Sequence, residues 1–139
     1  MDYEVREAPE AGIEIESYLL RDLRSLLPQG ENISVTYAVR DDKGTLVAGI
    51  SGATSYGWLL VKVLWVHEDH RGQGLGARLL AIAENKAREL GCHAAWLDTS
   101  NPAAETFYRR HGYSLFGELE NGEGELPEHH RRAFMRKRF

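Results

Sequence analysis

The sequence predicts one α/β domain in which short strands alternate with amphipathic helices. Three observations carry this. The apolar run Trp58–Val66, broken only by Lys62, reads as a buried strand. A glycine-rich turn then leads into Leu75, Leu79, Ile82, Ala83, Ala87 and Leu90, which recur at helical spacing with Glu84, Lys86, Arg88 and Glu89 between them. Ala94–Asp98 follows as a further strand, and strand, helix and strand in that order form a right-handed crossover, which sets the two strands parallel. At 139 residues the chain suffices for a single compact domain, 1–139, and is short for two.

The other elements follow from local pattern. Tyr3-Glu4-Val5-Arg6-Glu7 alternates as a short first strand would, and Pro9 and Gly12 interrupt it. From Ile15, the positions Tyr18, Leu19, Leu23, Leu26 and Leu27 share one helical face, and Pro28 and Gly30 end that helix. Ile33–Val39 is β-branched and alternating, Asp41-Asp42-Lys43-Gly44 is turn chemistry, and Leu46–Ser51 returns as the second arm of a hairpin. The long helix stops at Gly91, a natural C′ glycine. Pro102 suits the first turn of a helix over Ala103–His111 that Gly112 ends. Tyr113–Leu119 and Ala133–Phe139 make a C-terminal hairpin around the polar loop Glu120–Glu125.

Composition narrows the function classes. A formal charge of −4 argues against non-specific nucleic-acid or membrane-surface binding, and the basic end Arg131-Arg132 and Arg136-Lys137-Arg138 reads as a solvated hairpin face. Cys92, the one cysteine, leaves no internal disulfide and fits a reducing compartment. No signal-peptide pattern begins the chain and no run approaches the ~18 apolar residues of a membrane span, so a cytoplasmic location is expected. The six histidines show no metal-ligand spacing, and no metal is expected.

The chemistry concentrates at Arg71-Gly72-Gln73-Gly74-Leu75-Gly76, between the buried strand and the long helix. Glycines there permit positive φ and let a ligand approach the main chain. The helix start adds free N–H groups and the positive end of its dipole, which suit a phosphate or pyrophosphate. A Walker loop would need Gly-Lys-Ser/Thr, and Ala77 follows Gly76 instead. A dinucleotide fingerprint needs Gly-x-Gly-x-x-Gly, whereas Gly72, Gly74 and Gly76 are spaced two and two.

The turn resembles the Arg/Gln-x-x-Gly-x-Gly/Ala signature of the GNAT superfamily of acetyl-CoA-dependent N-acetyltransferases. A second block, Asn101, Ala104, Phe107, Tyr108 and then Gly112-Tyr113, is similar to that family's Asn-x-x-Ala-x-x-Phe-Tyr and Gly-Tyr/Phe pattern. Two blocks at the expected separation, each in its expected structural context, are far more specific than a glycine loop alone. The resemblance is strongest over residues 58–118. It implies a mixed, mostly antiparallel sheet with helices on both faces and a parallel strand pair that splays to hold acetyl-CoA. The backbone of Leu64 and Val66 would then pair with the pantetheine arm, and the N–H groups from Arg71 through Gly76 (Gly72, Gln73, Gly74 and Leu75 between them) would hold the pyrophosphate. Arg71 either adds charge there or touches only water.

The implied reaction moves acetyl directly to a primary amine through a tetrahedral intermediate. Tyr108 matches the family's general acid for the departing thiolate, or else is a core aromatic beside Phe107. Asn101 reads equally as a ligand of the cofactor arm and as a helix N-cap. Some family members carry a glutamate base about six residues before the position of Val66, but Leu60-Val61-Lys62 offers no carboxylate. Asp98, at the C-terminal end of its strand, is the leading substitute, with His67, Glu118, His130 and a water relay behind it. Asp98 reads also as a cap of the next turn. Lys62 either snorkels at an edge or faces an anionic group in the cleft, and His129 and His130 lie by the C-terminal hairpin that would wall the amine pocket. The alternative to an enzyme is an acyl-CoA-binding or sensing module of the same fold. The acceptor and the choice between monomer and homodimer are open from sequence.

Overall fold

A computed structural model describes residues 2–26 and 32–139. Its elements are α1 (Gly12–Leu26), β1 (Ser34–Arg40), β2 (Leu46–Ser55), β3 (Trp58–Val66), α2 (Leu75–Glu89), β4 (Ala94–Thr99), α3 (Pro102–Arg110), β5 (Ser114–Glu120) and β6 (Arg131–Arg138), with 3-10 turns at Pro9–Ala11 and Glu68–His70. The strands form one sheet in the order β1-β2-β3-β4-β6-β5. Only β3 and β4 run parallel, as the crossover through α2 requires.

Sequence expectation and structure agree on the succession from β1 to β6, with shifts of a few residues at the ends. Tyr3–Glu7 is a correction: the segment is irregular and exposed. Alternation stabilises a strand only when a neighbour takes up its ladder, and no described strand pairs with this one. Leu27, expected on the helical face, and Pro28 and Gly30, expected to end the helix, lie outside the described residues.

One face of the sheet carries the core. Val35, Ile50, Leu59, Val61, Leu97 and Met135 meet Leu79, Leu80, Ala83 and Ala87 of α2 and Tyr108 of α3. The i, i+4, i+8 spacing of Leu79, Ala83 and Ala87 turns one stripe of α2 inward, and small residues let the helix approach closely. Burying a leucine there is worth about 1.5–3 kcal/mol. The resemblance implies helices on both faces. In the single chain α2 and α3 take one face, and α1 buries no residue. The second face presents Thr36, Ala38, Gly49 and Ser51 beside Val63 and Trp65, then Leu60, Trp58, Trp96 and Phe116.

Two local departures in β3 position the site. Ser51 pairs with Val63 and Gly52 with Val61, so Lys62 is an extra, bulged residue. Pairing with β4 covers only Trp58–Leu60 against Ala94–Trp96. Beyond that the parallel strands part.

Candidate active site

Where β3 and β4 separate, a cleft of about 460 Å³ opens. Leu64, Trp65 and Val66 form one wall, Arg71 and Gly76 the rim, and Asn101, Ala104, Phe107 and Tyr108 the other wall. Leu64, Val66, Arg71, Gly76, Asn101 and Tyr108 are thus brought together from three separated stretches of sequence. Beyond Leu60 the β4-facing edge of β3 has no strand partner. Trp65 and Phe107 are cleft residues that sequence reasoning did not assign. Phe107 sits within the second motif, so its place in that block was the available signal.

The glycine turn is built by backbone geometry. Gly72 and Gly74 both have φ of +77°, and Gly74 is the N-cap of α2 in the left-handed region. Arg71 donates from Nε to the Val66 carbonyl at 2.9 Å, tying the turn to the end of β3. Its guanidinium is thereby held at the cleft rim rather than loose in solvent. Among the described residues, no N–H from Gly72 through Ala77 donates to a backbone carbonyl or a side chain. These are the orphan donors of a helix start, and Gln73 and Leu75 contribute to them through the main chain.

The opposite wall depends on how α3 begins and ends. Asn101 caps the helix: its Oδ1 accepts from the Ala103 N–H at 3.0 Å, and Pro102 occupies the first turn. Asn101 also lines the cleft, so both readings of this residue have a place in the geometry. Tyr108 is buried, packed edge-on against Phe107 and Tyr113. No hydrogen bond joins its hydroxyl to another described residue. Burial pushes its pKa up to about 12. Past α3, Tyr113 donates to Glu84 of α2 at 2.7 Å, and Lys137 of β6 donates to the other Glu84 oxygen at 2.8 Å.

Asp98 lies outside the cleft lining. It belongs to the second face of β4, opposite Phe134, and Arg132 engages it through Nε and a terminal nitrogen at 2.8 Å each. Both contacts fall on Oδ1. Oδ2 has no partner among the described residues. Glu118 is paired with Arg131, which also donates to Glu105 of α3 at 2.6 Å. That guanidinium, before the weaker contact from Arg109, holds the Glu105 carboxyl below its ordinary range. His67 is turned to its own loop, accepting from the Asp69 N–H. His130 bonds Ser100 at 2.9 Å, adjacent to Asn101 but outside the cleft, and His129 is exposed beside Glu128.

A second cavity, about 540 Å³, lies on the other sheet face among Trp58, Leu60, Lys62, Trp96, Phe116 and Arg136. Lys62 therefore reaches this face through the bulge. Among the described residues, no group of three His, Cys, Asp or Glu side chains is arranged to hold a metal ion. No helix among them is long and apolar enough to cross a membrane.

The sequence profile of the acetyltransferase (GNAT) family matches residues 2–113. The chain belongs to that family. Acetyltransferase Atu2258 of Agrobacterium fabrum is 37% identical over 111 residues, 80% of this chain and 78% of that protein. Blasticidin-S acetyltransferase of Streptomyces morookaense is 38% identical over 98 residues, 70% of this chain and 71% of that protein. Among solved structures, an acetyltransferase from Bacillus cereus superposes with a TM-score of 0.83 at 27% identity, covering 99% of this chain and 98% of that one. A Bacillus anthracis protein solved in complex with acetyl coenzyme A shares the fold, with a TM-score of 0.67 at 21% identity over 78% of this chain and 64% of that one. This GNAT member is an acetyltransferase of mixed α/β architecture.

Proposed function

We propose that this acetyltransferase moves the acetyl group of acetyl-CoA directly to the primary amine of a small molecule. The opening between β3 and β4 carries the reading, because one cleft gathers three kinds of group. The unpaired edge of β3 offers the Leu64 and Val66 backbone to an amide-rich arm. The turn from Arg71 to Gly76 offers main-chain donors to a pyrophosphate, with Arg71 adding a positive charge. Asn101, bonded through Oδ1 to its own helix, retains its amide NH₂ for a carbonyl of the arm. The residues present therefore fit acetyl-CoA, which supplies a thioester carbonyl open to attack by an amine.

Two side chains handle protons. Tyr108 donates towards the leaving sulfur; with a pKa of about 12 it stays protonated at neutral pH. Asp98, on the same sheet face as Trp96, accepts the amine proton at Oδ2 through water, while Arg132 fixes the carboxylate through Oδ1. The amine approaches from the second sheet face. The cavity there has a volume ordinary for small-molecule sites and four aromatic rings, from Tyr56, Trp58, Trp96 and Phe116. The relative named for blasticidin S supports a small, amine-bearing acceptor.

Thermal melting with acetyl-CoA tests the donor, and thiol release over a panel of small amines that includes blasticidin S tests the reaction. Ligand at 100 times its dissociation constant should add about 2.7 kcal/mol of stability. An unchanged melt at saturating acetyl-CoA overturns the cleft assignment. A shift without amine-dependent thiol release across the panel favours an acyl-CoA sensor, consistent with the absence of a carboxylate from Leu60-Val61-Lys62.

A further inference from the structure

The first 26 residues differ from the rest of the chain in charge and in burial. They hold seven acidic side chains against Arg6, Arg21 and Arg24, which equals the whole formal charge of −4 and leaves the remainder balanced. Within them α1 places Ile15, Leu19, Leu23 and Leu26 on one stripe, with Tyr18 beside it. Ile15 is 65% exposed, Leu19 56% and Leu26 75%. A 15-residue helix is marginal by itself in water, and no residue of α1 is fully buried in its own chain, Leu20 and Leu23 being half-buried.

The body carries the matching surface. On the second sheet face, Thr36, Ala38, Gly49 and Ser51 form a groove of small residues bounded by Val63 and Trp65, which are 56% and 39% exposed. The short side chains let a helix approach the sheet closely, and Val63 and Trp65 give it apolar walls. Lys62, the neighbour of Val63 in the chain, and Arg136 line the other cavity of the same sheet face and give that face positive charge towards an acidic arm. At about 1.5 Å per residue α1 is roughly 22 Å long, and strands lie about 4.8 Å apart, so it spans the β1–β3 half of the face and more.

We propose that two copies of this chain exchange N-terminal arms, each laying the apolar stripe of α1 into the β1–β3 groove of the other. The contact is reciprocal, so one two-fold axis covers both stripes and both grooves and leaves no further surface to propagate assembly. The acidic arm meets a body of balanced charge with Lys62 and Arg136 at the docking face, which also disfavours pairing of two arms with each other. The exchange supplies the second layer of helix that the sheet lacks in the single chain. The cavity at Trp58 and Trp96 lies alongside the docked helix.

Light scattering on the full-length chain at tens of micromolar tests this. The expected mass is twice 15.7 kDa. Leu19→Glu and Val63→Glu, each at an exposed position, should separately give monomers with the native circular dichroism. A monomeric wild type overturns the proposal, whether the arm is then free or docked on its own sheet. A dimer that withstands Leu19→Glu overturns it too. A dimer split by Leu19→Glu but not by Val63→Glu means that α1 pairs with α1, and that outcome also overturns it.

Discussion

The Tyr113 hydroxyl donates to the Glu84 carboxylate at 2.7 Å across the interface of α2 with the turn that follows α3. Glu84 is 5% exposed, and Lys137 of β6 holds its other oxygen. One buried carboxylate thus joins a helix, a turn and a strand. Burial first, and the Glu84 charge second, push the Tyr113 phenol far above its ordinary pKa. The Tyr113 N–H also bonds the Tyr108 carbonyl at 3.0 Å, so the trio anchors the segment that carries the proposed acid.

Replacing Glu84 by Ala strands a phenol and an ammonium group together. Removing one partner of a buried pair typically costs 3–5 kcal/mol, and Lys137 still reaches water, so a loss of about 3 kcal/mol is expected. Urea denaturation measures it. A loss below about 1 kcal/mol would show that the pair contributes little. Tyr113→Phe removes a single hydrogen bond to a charged group and should cost about 1.5–3 kcal/mol.

Tyr108→Phe should lower kcat about 100-fold, the low end for a positioned acid, with acetyl-CoA affinity nearly unchanged. An unchanged kcat under conditions where chemistry limits the rate removes Tyr108 from the mechanism. The raised pKa adds an alkaline signature. A phenol at about 12 in the native state and ~10 unfolded contributes stability that is fully present below pH ~10 and is lost as pH rises towards 12. The Tyr108→Phe variant should lose less stability over that window in alkaline denaturation.

Gly52→Ala tests the bulge. A Cβ at Gly52 would clash with the carbonyl oxygen of Leu60, the last residue of β3 paired with β4. Backbone must move to admit it, and the movement reaches the point where the strands part. A destabilisation of about 1–3 kcal/mol, typical of overpacking, should accompany weaker acetyl-CoA binding in calorimetry. Wild-type affinity in a destabilised variant would separate the bulge from the cleft.

Glu105 gives a prediction in acid. Its carboxyl is held below the ordinary range, chiefly by the Arg131 hydrogen bond. A depressed native pKa contributes stability that is present above the unfolded value of ~4.3 and is lost as pH falls through the lowered native value. Glu105→Gln should therefore reduce stability at neutral pH and show a shallower further loss below pH ~4.3. Parallel wild-type and variant profiles in acid would contradict this.

The residues that were legible in the sequence are those whose chemistry is local. A buried strand, a glycine turn and an amphipathic helix follow each other directly, and Asn101 and Tyr108 sit in one short motif. Periodicity therefore found the crossover, and the resemblance of two short motifs implied the residues expected along the cleft. The Lys62 bulge was not legible, because it depends on how β3 registers against β2. Glu84 read only as one of the charged positions between the apolar ones, yet Tyr113 and Lys137, 29 and 53 residues away, meet it in a buried pair. Tyr3–Glu7 shows the reverse error, a strand pattern with no described strand beside it. Asp98 was expected at the end of its strand, but its partner Arg132 comes from a hairpin 34 residues on.

The unpaired edge of β3 lies between β2 and β4, in the middle of the sheet rather than at its margin. Exposed marginal edges invite other chains to add strands and so to aggregate. This one is a wedge that closes at Leu60, with α3 along its mouth. The fold thus keeps a stretch of backbone without a strand partner inside the sheet, away from the margins where fibrils are seeded.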